Sequence, residues 1–215
     1  MTLSALRDDI ARRQEAKDKI NHIYYETLGR DVEDDEQKSL MNLLATKKSL
    51  SSIRSDIART YSLLEDGNVI SLKCLAARPG SRFLYGSAGS EPVALVTVLS
   101  SSAPGTQWKI HRIDHGVIAL ENLSKIANLK WLDGETLGGK VKLSPSTEGD
   151  YTGTKWRIYV MNDGVIALKN LGELESNLRW LDGKTLSEKV KLSPSTEGDY
   201  TGTKWQIIEP DPMSL

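Results

Sequence analysis

The sequence predicts an α+β chain of two domains, a small three-helix domain over residues 1–65 followed by an all-β domain over 66–215. Residues 1–65 hold no Trp, little Gly and many strong helix formers, and all five Trp lie beyond them. The second stretch alternates short β-rich runs with Gly, Ser and Thr. It also repeats itself: KVKLSPSTEGDYTGTKW runs from Lys140 to Trp156 and again from Lys189 to Trp205, identical at all 17 positions. The change of character falls at LEDG, residues 64–67.

In the first domain, Leu6, Ile10, Ala16, Ile20, Ile23, Tyr24 and Leu28 approximate an apolar stripe, predicting a helix over 4–28. GRDVED ends it. A second helix is expected over 33–46, with Leu40, Leu43 and Leu44 facing inward. A third is expected over 50–63, capped by Ser49 or Ser51, with Ile53, Ile57, Tyr61 and Leu64 as its stripe. Gly29 reads as a helix stop, and Arg30 as one half of an arginine–carboxylate bond that ties the loop; a binding role for Arg30 and Asp31 is the alternative. The acidic run DVEDDE, residues 31–36, lacks the Gly-centred twelve-residue spacing of a calcium loop and suits the positive end of the second helix. Three helices over 65 residues bury little, so this domain should lean on the β domain or pair with another chain, making a homo-oligomer possible.

In the second domain, GTQWKI, GTKWRI and GTKWQI place Trp108, Trp156 and Trp205 at intervals of 48 and 49 residues. NVISL, GVIAL and GVIAL keep the same period, as do RFLYG, KWLDG and RWLDG, and VALV, VKLS and VKLS. The units are about 66–113, 114–161 and 162–210, each with four short strands; in the central unit these fall near 116–121, 129–132, 140–143 and 155–159. DG and GTK supply turns. Three units of four strands select a β-trefoil, a six-stranded barrel capped by three hairpins, over a propeller, which normally needs more blades, and over a β-sandwich, which leaves the threefold period unexplained. The fold class is therefore an N-terminal three-helix domain followed by an all-β β-trefoil of three pseudo-repeats. Trp108, Trp156 and Trp205 should be core, and so should Phe83, Trp131 and Trp180.

Composition narrows the function. Lys and Arg number 28 against 29 Asp and Glu, so nothing calls for nucleic acid. No apolar run reaches the 18 residues that would suggest membrane insertion. The N-terminus has no signal-peptide core, which fits a cytoplasmic protein or one exported without such a signal. Cys74, the single cysteine, reads as a packed small hydrophobe. His111, Asp114 and His115 straddle an expected surface turn, and Glu148 and Asp150 sit in a Ser/Thr/Gly loop that offers no burial to tune an acid and a base. No nucleophile elbow, phosphate loop or paired zinc cysteines occur, so no catalytic residue, metal or cofactor is assigned and no enzyme is expected.

KWLDG…GGKVKLSPS…TGTKWRI…DGVIAL, within 130–168, and RWLDG…KVKLSPS…TGTKWQI, within 179–208, resemble the ricin-type and fascin-like β-trefoil class. The resemblance implies that Asp133 and Asp182 stand where such lectins place a sugar-binding carboxylate. Tyr85 takes that place in the first unit. The Gln of the lectin QxW motif is replaced by Thr106, Thr154 and Thr203, and its stacking aromatic by Val96, Ser144 and Ser193. The stretch 23–61 is similar to a small bacterial domain of uncharacterised function with a YxxxLGRxPD pattern, although Val32 stands in place of its Pro. The expected function is a non-catalytic, lectin-like protein with two equivalent shallow carbohydrate sites, formed by Asp133 with Tyr151 and by Asp182 with Tyr200. The alternatives are that Asp133-Gly134 and Asp182-Gly183 are plain hairpin turns, and that the chain is a protein-interaction module whose partner is a protein surface rather than a glycan.

Overall fold

A computed structural model describes residues 3–45, 49–76, 82–87, 93–97, 104–124, 128–135, 138–162, 164–172, 177–184 and 187–209. Three helices, α1 (Leu3–Leu28), α2 (Asp34–Ala45) and α3 (Leu50–Leu63), come first. α1 stops where Gly29 turns left-handed, with φ +67°, and donates its N–H to the Tyr25 carbonyl at 2.9 Å. Ser49 caps α3, its hydroxyl accepting from the Ser52 N–H at 3.1 Å. Ile20, Ile23, Tyr24 and Leu28 of α1, Leu40 of α2, and Ile53, Ile57 and Tyr61 of α3 are buried. The side chains of Leu6, Ile10 and Leu43 lie outside the described residues. The helical stripe joins the barrel's apolar residues in one continuous core, so the helical part leans on the β part.

Twelve strands follow: β1 (Val69–Cys74), β2 (Phe83–Gly86), β3 (Val93–Val96), β4 (Trp108–Asp114), β5 (Val117–Asn122), β6 (Trp131–Glu135), β7 (Lys140–Ser144), β8 (Trp156–Asn162), β9 (Val165–Asn170), β10 (Trp180–Lys184), β11 (Lys189–Ser193) and β12 (Trp205–Ile208). β1, β4, β5, β8, β9 and β12 pair antiparallel in a ring that closes from β12 back to β1. The pairs β2–β3, β6–β7 and β10–β11 are hairpins, and β11 touches both β3 and β7, gathering them into a cap. A closed six-stranded ring with three capping hairpins is a β-trefoil.

The threefold frame rests on repeated contacts. Trp108, Trp156 and Trp205 are fully buried, and each indole N–H donates to a carbonyl of the preceding hairpin: Leu84 at 3.1 Å, Leu132 at 2.9 Å and Leu181 at 2.9 Å. A second set links neighbouring units. The Asn122 amide donates to the Gly105 carbonyl at 2.8 Å and the Asn170 amide to Gly153 at 2.5 Å, while the Cys74 thiol lies 3.4 Å from the Gly202 carbonyl. Cys74 thus occupies the place that asparagine holds in the other two units, and burial pushes its thiol up.

Two expectations need correction. Asp133-Gly134 and Asp182-Gly183 are not turns. Both lie within strands, with Gly134 opposite Val141 and Gly183 opposite Val190. Glycine is required there by crowding, since a Cβ on Gly134 would sit 2.6 Å from Asn170 Nδ2 and one on Gly183 2.9 Å from Cys74 Sγ. The second aromatic set is core only at Trp180. Strand alternation turns Leu84, Leu132 and Leu181 inward, all fully buried, and sends Phe83, Trp131 and Trp180 to the outer face. Phe83 and Trp131 are half-buried; Trp180 is covered, but in a separate cluster with Tyr159, Ala167 and Met161.

Candidate functional site

Of the residues expected to bind sugar, the two carboxylates are buried and hydrogen-bonded within the fold. Asp133 and Asp182 are 5% and 6% exposed. The Ser144 hydroxyl donates to Asp133 Oδ2 and the Ser193 hydroxyl to Asp182 Oδ2. The other oxygen of each packs on a glycine: a Cβ on Gly153 or Gly202 would lie 2.3 Å from Oδ1 of Asp133 or Asp182. Serine stands where the lectin class places a stacking aromatic, and here it closes off the carboxylate. Tyr151 and Tyr200 precede short 3-10 turns and keep half-exposed rings. Their carbonyls accept from the buried Thr154 and Thr203 hydroxyls at 2.7 Å, which explains threonine at the QxW glutamine position.

His111 lies on β4, not in a turn. It meets Glu121 at 2.7 Å and stands edge-on to Trp131, with ring centroids 4.8 Å apart. His115 is in the turn and faces Gly29. Among the described residues, no three His, Cys, Asp or Glu gather into a group able to hold a metal. Glu148 and Asp150 are exposed.

The loop after Gly29 turns out to be the seam between helices and barrel. Arg30 forms a two-pronged bond with Glu36, both contacts 2.8 Å, and its guanidinium also donates to the carbonyls of Asp31 at 3.0 Å and Ile158 at 3.3 Å. Glu36 is fully buried and accepts the Glu33 N–H at 3.1 Å as well. Burial works against the charge on Arg30, and the Glu36 carboxylate more than offsets it, raising the guanidinium further above its ordinary value. Burial likewise pushes the Glu36 carboxyl up, but the forked geometry and the third donor hold the pair ionised. Beside this pair, Glu33 accepts from Arg157 and from the Tyr159 hydroxyl, with Lys169 3.6 Å away. The Gly164 N–H donates to Thr60 Oγ1 at 3.2 Å, tying α3 to the β8–β9 turn. Glu33 and Glu36 of the acidic run are spent on these protein contacts. Sequence reasoning found the arginine–carboxylate bond and missed the partners of Glu33, which lie more than 120 residues away.

Docked in this way, α2 becomes one wall of a cleft of about 420 Å³. Lys38, Ser39 and Asn42 line it from the helix. The facing wall is the second copy of the repeated loop, in the third unit, from Pro194 to Gly198, with Thr201 and Lys204 at its end. Met161 and Trp180 complete the lining. Trp180 is braced by Tyr159, edge-on at 4.7 Å, and by the Lys169 ammonium 5.5 Å from its ring. Lys38 bridges the walls through an ion pair with Glu197 at 2.8 Å. Neither Asp182 nor Tyr200 lines this cleft.

The second repeat carries the same loop, Pro145 to Thr152, but among the described residues no helix stands in for α2 there. Trp131 is half-buried beside His111 and Lys130, and Ile113, the counterpart of Met161, is 46% exposed. Lys130 and His111 both bond Glu121. Burial pushes the Glu121 carboxyl up, and the hydrogen bonds from Lys130 and His111 more than reverse it, leaving it below the usual range.

No protein-family model matches the chain, and no curated protein sequence does. Solved structures do match. A GlcNAcα1-4Gal-releasing endo-β-galactosidase from Clostridium perfringens is 16% identical at a TM-score of 0.52, over 67% of this chain and 33% of that one. A salivary protein from Culex quiquefasciatus, of the Cysteine and Tryptophan-Rich family, is 17% identical at a TM-score of 0.50, over 68% and 96% of the two chains. A designed threefold-symmetric protein, ThreeFoil, is 18% identical at 0.49, over 66% and 99%. At such identities the likeness is one of fold alone, and the chain spans only a third of the endo-β-galactosidase. The similarity of the helical part to a bacterial domain rests on its sequence pattern alone.

Proposed function

We propose that this is a non-catalytic binding protein whose principal site is the cleft between α2 and the third repeat, and that its ligand is a carbohydrate. One observation carries the reading: Trp180, 6% exposed, shares the cleft lining with the side-chain donors and acceptors of Ser39, Asn42, Ser195, Thr196 and Thr201. A sugar offers an apolar ring face to an aromatic and hydroxyls to such groups. The expected carboxylates, Asp133 and Asp182, belong in this reading to the scaffold. The two repeats are unequal: the second lacks the α2 wall, so its open face binds more weakly.

A glycan array followed by calorimetry on the full chain tests this. Saccharide binding should weaken about tenfold in Asn42→Ala, the scale of one lost hydrogen bond, with an unchanged thermal midpoint because Asn42 is exposed. An array with no saccharide retained contradicts the reading.

A second reading, protein interaction, is favoured by the apolar exposure of Ile113 at 46%, at the end of the first repeat, and of Leu129 at 41%, in the second. Light scattering across concentration separates the two, since a self-associating surface gives a mass above 23.8 kDa that Ile113→Asp reduces.

A further inference from the structure

We infer that the cleft selects an acidic saccharide, one bearing a carboxylate or sulfate on the sugar held against Trp180. This rests on the carbohydrate reading above and names its ligand class. Three charged side chains line the cleft: Lys38, Glu197 and Lys204. Lys38 and Glu197 satisfy each other, the ammonium lying 2.8 Å from one carboxylate oxygen and 3.0 Å from the other. Lys204 has no side-chain partner among the described residues and is exposed. Two positive groups against one negative leave a surplus of one positive charge, located at Lys204.

The position of Lys204 is fixed although its side chain is free. It follows the 3-10 turn Thr201–Thr203, and its carbonyl accepts the Leu75 N–H at 2.8 Å. Trp205, the next residue, is fully buried. The ammonium is thus carried on a backbone position held by hydrogen bonding, in the lining that it shares with Trp180, which lowers the cost of ordering it around an anion. A cationic ligand gains little here. The other cation near Trp180, Lys169, already lies against that ring and is held 3.6 Å from Glu33.

The test is calorimetric titration of the full chain with a hexuronate oligosaccharide, its carboxyl-reduced neutral counterpart and a sulfated derivative of that neutral form. The acidic forms should bind at least about tenfold more tightly than the neutral one at low salt, with the gap narrowing as salt screens it. Lys204→Met should remove the preference by bringing acidic binding down to the level of the neutral form, and Lys204→Gln should do the same should the methionine variant fold poorly. A preference shown only by the uronate or only by the sulfated form assigns the anion. Equal binding of acidic and neutral forms, or a preference that survives both Lys204 substitutions, overturns the inference and leaves the carbohydrate reading standing. Binding of none of the three overturns both.

Discussion

At residue scale, the main discriminations come from a few atoms. Gly153 and Gly202 let the backbone pass within van der Waals contact of Asp133 and Asp182, because a Cβ at either place would sit 2.3 Å from a carboxylate oxygen and within 2.4 Å of the carbonyl of Gly134 or Gly183. Gly202→Ala should therefore destabilise the fold by about 1–3 kcal/mol, the usual cost of overpacking, as read by urea unfolding. Asp182→Ala leaves the fully buried Ser193 hydroxyl without its acceptor. The expected cost is about 1–3 kcal/mol of stability with little change in saccharide affinity. A large loss of affinity at unchanged stability would return that carboxylate to the binding site. Cys74→Asn should be tolerated within about 1 kcal/mol, since the volumes are close and the amide can donate to Gly202 as its counterparts do to Gly105 and Gly153. The period of the sequence marks Cys74, Asn122 and Asn170 as equivalent. It does not mark them as the links between units, because a repeat shows which positions correspond and not which ones touch.

At the scale of elements, the seam depends on α2 being held by charge. Arg30→Met leaves Glu36 fully buried without its partner and should cost about 3–5 kcal/mol, whereas Arg30→Met combined with Glu36→Leu should recover much of that. The comparison is a double-mutant cycle in urea. The seam also predicts alkaline behaviour. Burial pushes the Tyr61 hydroxyl up to about 12, and Tyr24, buried beside Glu36, is also raised. A raised group supports the fold fully below its unfolded value, about 10 for tyrosine, and that support is lost as pH rises toward the folded value. Stability should fall between about 10 and about 12, and Tyr61→Phe should lessen the fall. Helix positions were legible from the sequence, with the first helix expected over 4–28 and observed over Leu3–Leu28, since stripe, Gly29 stop and Ser49 cap are all local signals. The docking of Glu33 onto Arg157 and Tyr159 was not, for no local pattern reports a contact across two domains.

For the whole molecule, three units of four strands, each ending in a buried tryptophan, were enough to select the trefoil, because few architectures close around such a count. The site was not legible in the same way. The loop Pro194–Gly198 is identical to Pro145–Gly149, so sequence alone made two equal sites of them. Among the described residues, the placement of α2 breaks the equality, giving the third repeat a second wall and leaving the second repeat open. That asymmetry is the central claim, and Ser39→Trp tests it most directly by filling the cleft from the α2 side with a half-buried residue that is not part of the apolar core. Titrated with the best saccharide from the array, this variant should lose the tight site and keep at most the weak one, with its unfolding midpoint unchanged. Affinity and stoichiometry equal to those of the parent chain would contradict the claim.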